Sequence, residues 1–101
     1  MKKFKLIRKV WLWPGQNPWH FVYVDGKIQD DIISKAKKHH MGMIRVQAQI
    51  GRTIWETSLL PFKKENCYLL AIKKDIRKKE DVVDGDTVTI ILEPILKHLD
   101  I

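Results

Sequence analysis

Residues 72–92 constrain the fold more than any other part of this chain. They read IKKDIRKKEDVVDGDTVTIIL: the end of an apolar run, a short basic segment, a turn and an alternating segment. Apolar side chains recur at Val88, Ile90 and Leu92, as in a strand with one buried face, although Ile91 interrupts the pattern. Gly85 suits the preceding turn, because glycine adopts positive φ at little cost.

The segments upstream complete a strand–helix–strand pattern. Residues 68–72 (YLLAI) form an apolar run that is long enough for a buried strand and too short for a stable helix. The segment 74–80 predicts a short helix, which needs support from neighbours such as Ile76, Val82 and Val83 because so few residues cannot hold a helix alone.

These residues carry a resemblance to a known fold. Residues 72–78 (IKKDIRK), followed by 85–88 (GDTV), resemble the half-barrel signature of AbrB-like swapped-hairpin proteins. Those proteins build a double-split β-barrel from two halves, usually from two chains. Lys73 stands where that family often has proline, and residues 79–82 replace its usual small, apolar, glycine-containing turn.

A wider set of segments resembles a prokaryotic domain-of-unknown-function family. That family places both half-barrels in one chain and is sometimes fused to a bacteriocin-protection domain. The similar segments are 19–24 (WHFVYV), 44–46 (IRV), 55–61 (WETSLLP) and the stretch 72–92, within roughly residues 3–94. The resemblance implies a mainly β fold, a small closed or double-split β-barrel of about six to seven strands with one longer and one short helix. It implies no catalytic residues, because the family carries no established activity.

The positions of proline and glycine predict where the other elements begin and end. They are strands at 3–13, 19–24, 43–50 and 53–60, a loop at 14–18 and an exposed turn at 63–66. Pro61 is expected to end the strand before it. Asp25 and Gly26 could form a hairpin turn or open a helix with Asp25 as N-cap; we favour a helix at 27–38, with Gly42 near its end.

A repeated order of elements predicts a pseudo-twofold barrel. Strand 19–24, a helix and strand 43–50 have the same order as strand 67–73, a short helix and strand 86–93. We expect a single domain over residues 1–101, with the barrel at about 3–94. The tail 95–101 is either a final helical turn or a segment that packs on the barrel.

Composition limits the class of protein. The chain has 101 residues, enough for one modest core, and its apolar runs are too short to span a bilayer. Arg8 and Lys9 interrupt the apolar N-terminal segment, which favours a strand over a signal peptide. Cys67 is the single cysteine and cannot form an internal disulfide, so we expect a cytoplasmic protein in which Cys67 is a small residue at a strand start.

The charge balance indicates an anionic partner. The net charge is +7, and one basic cluster comprises Lys73, Lys74, Arg77, Lys78 and Lys79. Such clusters attract polyanions through counterion release, and they predict an anion or nucleic-acid binding surface. The alternative is a solvated surface, because lysine runs aid solubility and four of the nineteen basic residues are arginine, the type that base readout favours.

The four tryptophans are candidate stacking surfaces for bases. Trp19 and Trp55 lie in predicted strands and are expected to fill the core. Trp11 and Trp13 are two residues apart on one strand face, which is compatible with a core position or with an exposed groove.

Catalytic and metal chemistry have little support in the sequence. No CxxC, HExxH or HxH spacing is present, so we expect no metal site and no cofactor. A possible surface or pocket comprises Arg45, Trp55 and Ser58. An enzyme site would assemble from scattered polar residues, such as Arg45, Glu56, Ser58 and Lys73. We favour a non-catalytic binding or interaction module, with DNA binding through the basic helix 73–79 as the alternative and a small enzyme as a further one. The expected partner is nucleic acid or another protein, not a membrane, and the expected state is a monomer or weak homodimer.

Overall fold

Seven antiparallel strands and two α-helices form a nearly closed β-barrel in the computed structural model, which describes residues 3–16, 18–35 and 42–95. This confirms the predicted fold class. The strands are β1 (Phe4–Lys9), β2 (Trp11–Leu12), β3 (His20–Val24), β4 (Ile44–Ile50), β5 (Thr53–Phe62), β6 (Cys67–Ala71) and β7 (Thr87–Pro94). The helices are α1 (Gly26–Lys35) and α2 (Lys74–Glu80), and a 3₁₀ helix covers Lys63–Glu65.

The N-terminal segment nearly closes the barrel. The strand order is β1-β7-β4-β5-β6-β3-β2, so β1 and β2 lie at opposite ends although only Val10 separates them in the chain. The predicted strand 3–13 is therefore two strands. Val10 N–H donates to the carbonyl of Asp86 at 2.8 Å, and Gly85 N–H donates to the carbonyl of Val10 at 2.8 Å. These bonds hold the bend against the turn before β7.

Strand β5 divides the barrel into two sheets. It pairs with β4 up to Leu59 and with β6 from Leu60 onward. We call β1, β7, β4 and the first part of β5 the first sheet, and the end of β5 with β6, β3 and β2 the second sheet. The expectation that Pro61 ends the strand is wrong, because the strand continues to Phe62. Pro61 lies beyond the last residue that pairs with β4, so its missing N–H removes no bond there.

The two halves of the chain are related as the sequence predicted. The units β3-α1-β4 and β6-α2-β7 have the same order, and β3 pairs with β6 while β4 pairs with β7. The helix at α1 confirms the helical interpretation of Asp25 and Gly26. The predicted last turn of this helix, 36–38, lies outside the described residues, as does the tail after Ile95.

The inward faces of both sheets share one apolar core. Val22 and Leu70 from the second sheet and Val46 and Leu92 from the first are each 0% exposed. Ile32 from α1 and Ile76 from α2 belong to the same core cluster. Among the described residues no polar or charged side chain is buried, so burial of apolar surface stabilises the interior.

Candidate binding surface

The second sheet is apolar on its outer face as well as on its inner face. In β3, Val22 and Val24 point into the core, whereas Phe21 and Tyr23 alternate with them and point outward. In β6, Leu69 lies on the outer side between two core residues and is 5% exposed. This sheet therefore needs a cover on its outer side.

Aromatic rings supply that cover. We call the set the aromatic face; it comprises Trp11, Trp13, Trp19, Phe21, Tyr23 and Phe62. The indole of Trp11 lies 5.5 Å from the ring of Phe21 and 5.0 Å from that of Tyr23, measured between centroids. Trp13 reaches Phe62 at 5.7 Å in an edge-to-face contact. Such pairs stabilise by about 0.5–1.5 kcal/mol beyond their burial.

Strand pairing positions these rings. Trp11 is the pairing partner of Phe21, and Trp13 N–H donates to the carbonyl of Trp19 at 2.8 Å, which extends the pairing beyond β2. Trp19, Phe21 and Tyr23 are two residues apart along β3 and its approach, so the pleat sends them to the same side. Trp19 stacks nearly parallel on Phe21, with centroids 6.1 Å apart and planes 8° apart.

The aromatic face is partly open to solvent. Trp13 is 40% exposed and Trp19 is 55% exposed. The prediction that Trp19 fills the core is wrong, because its position two residues before Phe21 places it on the outer side of the sheet. Trp55 packs against the core, as predicted. For Trp11 and Trp13 the structure selects the outer surface.

A shallow apolar groove runs across this face. Its volume is about 290 Å³. We call it the aromatic groove; it is lined by Trp13, Trp19, Phe21, Leu60, Pro61, Phe62 and Leu69. No charged side chain is among these residues, so the groove suits a flat apolar group.

A second groove with the opposite character adjoins it. Its volume is about 590 Å³. We call it the basic groove; it is lined by Pro18, Trp19, His20, Ile72, Lys73, Lys74 and Arg77. No carboxylate is among the lining residues. Trp19 lines both grooves, so the apolar and the cationic surfaces meet at one indole ring.

Helix α2 positions the cations of the basic groove and is held at both ends. Ile76 and Val82 belong to the core, as expected, whereas Val83 is 56% exposed, so the expectation that it supports the helix is wrong. Arg77 Nη1 donates to the carbonyl of Ile72 at 2.8 Å, which ties the first turns to the end of β6. At the other end, Thr53 Oγ1 donates to Glu80 Oε2 at 2.6 Å. These contacts replace the stability that a seven-residue helix lacks by itself.

The five predicted anion-binding residues fall into two groups. Lys73, Lys74 and Arg77 line the basic groove, whereas Lys78 and Lys79 are exposed on the last turn of α2 and do not. Across residues 3–16, 18–35 and 42–95, the side chains of these four lysines form no ion pair; the ion pairs present join Arg8 to Asp25 and Arg45 to Glu56. The lysine ammonium groups in the groove are therefore available to an anion.

His20 contributes little charge to the basic groove at neutral pH. Burial, and after it the nearby Arg77 guanidinium, lowers the pKa of His20 below 6.5, with a smaller opposing effect from Asp84. The imidazole is therefore neutral at pH 7. The positive charge of the groove comes from Lys73, Lys74 and Arg77.

The predicted pocket around Arg45 does not converge on one site. Arg45 Nη1 donates to Ser58 Oγ at 3.2 Å, and its Nη2 lies 3.6 Å from Glu56 Oε1. These three side chains share the outer face of the first sheet. Trp55 packs against the core from the inner face, and Lys73 lies in the basic groove.

Cys67 has the character of a structural residue. Its side chain is 5% exposed, and burial, followed by the charges of Asp25 and Glu65, raises the pKa of its thiol. The thiol therefore stays protonated and is a poor nucleophile.

Within the described part of the chain, no group of three or more His, Cys, Asp or Glu residues could hold a metal ion. None of the helices described here has the length and apolar character needed to cross a bilayer.

The sequence reasoning did not identify the aromatic face as a unit. Phe21, Tyr23 and Phe62 received no functional interpretation. A signal was present, because aromatic residues occupy the odd positions 11, 13, 19, 21 and 23. Period-two spacing places them on one side of a sheet.

Comparison with known proteins places the chain in a family. A family described as Domain of unknown function (DUF1905) matches residues 8–92. A comparison with the curated proteins finds no match. The matched segment contains both grooves and both strand–helix–strand halves, except for the last two residues of β7. Because it covers most of the 101 residues, the chain belongs to the Domain of unknown function (DUF1905) family.

Proposed function

We propose that this domain is a non-catalytic binding module whose partner is an anionic polymer of the nucleic-acid class. The observation that carries the proposal is the basic groove, where Lys73, Lys74 and Arg77 lie beside an exposed indole with no carboxylate among them. Cations that line a common groove follow a phosphate backbone better than scattered surface charge does.

The electrostatics of the groove favour binding. Lys73 and Lys74 are exposed and unpaired within the described residues, so a phosphate displaces no internal partner. Arg77 is held by its bond to the carbonyl of Ile72 and keeps further N–H donors. Phosphates bound here release counterions, which makes the affinity depend steeply on salt.

Two further observations support a binding module over an enzyme. The Arg45 guanidinium interacts with Ser58 and Glu56 on the outer face of the first sheet, whereas Lys73 lies in the basic groove, so the residues of the enzyme hypothesis are divided between two places. The Cys67 thiol is buried and protonated.

Because each chain supplies both half-barrels, the proposed state is a monomer or weak homodimer, in contrast to AbrB-like proteins that swap hairpins between chains. The proposed compartment is the cytoplasm, from the single cysteine.

Charge-matched variants of α2 test the proposal. Lys73→Gln/Lys74→Gln removes two charges from the groove, and Lys78→Gln/Lys79→Gln removes two charges from the same helix outside it. Binding of a labelled random-sequence oligonucleotide is measured by fluorescence anisotropy over a salt series. We expect the groove variant to lower the slope of log K against log salt by about 1.4, at about 0.7 per single-strand phosphate contact, and the control variant to change it far less.

Two results would contradict this function. Wild-type protein that fails to bind any oligonucleotide at low salt would exclude it. Equal losses in the two double variants would show that binding follows diffuse charge and that the basic groove is not the site.

A further inference from the structure

We infer that the aromatic groove receives an unstacked base, so that the domain binds single-stranded nucleic acid in preference to duplex. The inference rests on the proposed function, since the phosphates of the same strand occupy the basic groove. It adds a second site with its own chemistry, a flat apolar surface for a nucleobase.

The two grooves share Trp19 as a lining residue. This indole lines both of them and is 55% exposed. Its orientation is set by stacking on Phe21, whose ring is almost wholly buried beneath it. A ring held in place in the free protein loses little conformational entropy when a base stacks on it, so the surface is ready for binding.

The size and chemistry of the aromatic groove fit a base. A volume of about 290 Å³ accommodates a ring system, and the lining side chains are apolar or aromatic. Every base has a π-face, so stacking of this kind tolerates any sequence. In a duplex both faces of each base are covered by neighbouring pairs, and the groove cannot reach them without unstacking. Single-stranded nucleic acid is therefore the favoured ligand.

Charge complementarity selects this occupant over a second copy of the chain. A twofold dimer through the aromatic groove would bring the same patch of each copy together. Each copy carries Lys73, Lys74 and Arg77 in the adjoining basic groove, so the dimer would bring two positively charged grooves to one interface. A nucleotide strand instead offers a negative charge beside each base, whose flat π-face can stack on the aromatic groove.

Removing the base or the indole tests the inference. The probes are an oligothymidylate of about 12 nucleotides, an abasic oligonucleotide of the same length and a duplex of the same length. They are titrated against wild-type protein, Trp19→Ala and Trp19→Phe. We expect the wild type to bind the oligothymidylate about 5- to 150-fold more tightly than the abasic strand, the range for one stacked base.

Removing the indole and removing the base, separately and together, forms a double-mutant cycle that isolates the stacking contact. Trp19→Ala is expected to weaken oligothymidylate binding by a similar factor and abasic binding far less, because an abasic strand offers no base to stack on the indole. Trp19→Phe is expected to retain part of the preference, because it keeps an aromatic ring. Ile54→Ala is the control, since Ile54 is 54% exposed on the other sheet and its loss is expected to change no affinity. Thermal melts verify that each variant is folded.

The outcomes distinguish failure of this inference from failure of the proposed function on which it rests. Equal binding of oligothymidylate and abasic strand, or duplex binding as tight as single-strand binding, would overturn the inference and leave the proposed function standing. Failure of all three probes to bind at low salt would overturn both. A stable homodimer that Trp19→Ala dissociates would assign the aromatic groove to self-association and would also overturn the inference.

Discussion

Gln47 and Phe21 occupy comparable positions in the two sheets, because each side chain points away from the core. Around Gln47 the outer face of the first sheet is mostly polar, and Arg45 and Glu56 pair across it at 3.6 Å. Around Phe21 the outer face of the second sheet is aromatic, and the Phe21 ring is 7% exposed beneath tryptophans. One barrel therefore has a solvated side and an apolar side.

The difference follows from strand alternation. In β4, buried inward residues alternate strictly with half-exposed polar ones. In β6, four consecutive residues are buried, so both faces exclude water. A sheet with two apolar faces needs a second cover. On the outer side the cover consists of side chains from β2, β3 and β5, and it leaves Trp13 and Trp19 partly exposed. Exposed apolar patches of this kind mark interaction surfaces in soluble domains.

The largest expected effect is on stability, and it tests whether the two sheets share one apolar core. Leu70→Ala in the second sheet and Leu92→Ala in the first each remove a side chain that is 0% exposed. Each is expected to lower the free energy of unfolding by about 2–5 kcal/mol, from lost burial plus the cavity left behind. Urea unfolding measures both values. Ile7→Ala is the control, because Ile7 is 55% exposed, and a change within about 0.5 kcal/mol is expected. A strong effect in one sheet alone would contradict a shared core.

The next prediction addresses the contrast between the outer faces. Phe21→Ala is expected to destabilise by about 3 kcal/mol, the lower end for a buried phenylalanine, because the exposed rings above it can partly collapse into the space. Gln47→Ala is expected to change stability by less than about 0.5 kcal/mol. Equal small effects in urea unfolding would show that the aromatic face contributes nothing to folding.

A smaller, pH-dependent effect is expected from His20 in the second sheet. Its folded-state pKa is lowered below 6.5 by burial and by Arg77. The unfolded state therefore binds more protons below pH 6.5, and the free energy of unfolding falls as the pH drops through this value. Above pH 7 the histidine contributes no pH dependence. His20→Gln should reduce the decrease between pH 7.5 and about 5.5, measured by urea unfolding. An unchanged decrease would mean that another group is responsible.

The smallest effect is expected on the polar side. Arg45 and Glu56 form an ion pair in which the Glu56 side chain is 60% exposed, so water screens it. A double-mutant cycle with Arg45→Ala and Glu56→Ala is expected to give a coupling of about 0.2–1 kcal/mol, lower at high salt. A coupling as large as the Phe21 effect would remove the energetic contrast between the two faces.

Local patterns predicted much of the fold. The bounds of α2, 74–80, agree with the sequence prediction, because Lys73 precedes it in extended backbone and Asp81 ends it in the left-handed region. The repeated strand–helix–strand order was also predictable from spacing. The predicted strand end at Pro61 is wrong, because the sequence does not show that β5 changes partners just before this proline.

The candidate site was only half predictable. The basic residues of α2 stand out in the sequence, but their division between groove and open surface depends on which residues from β3 lie opposite the helix. Lys73 and Lys74 line the same groove as Trp19 and His20, although more than fifty residues separate the two pairs in the sequence. Sequence spacing carries no information about such contacts.

By itself the sequence determined the strands, the helices, the net positive charge and the apolar core, since these depend on local periodicity and composition. The tertiary structure decided which side of the second sheet carries the tryptophans and where they meet the lysines. The physical reason is that hydrophobicity indicates burial, whereas a tryptophan on a sheet with two apolar faces is buried only if another layer covers it. Trp19 has no such layer among the described residues, and so it lies exposed beside the cations of α2.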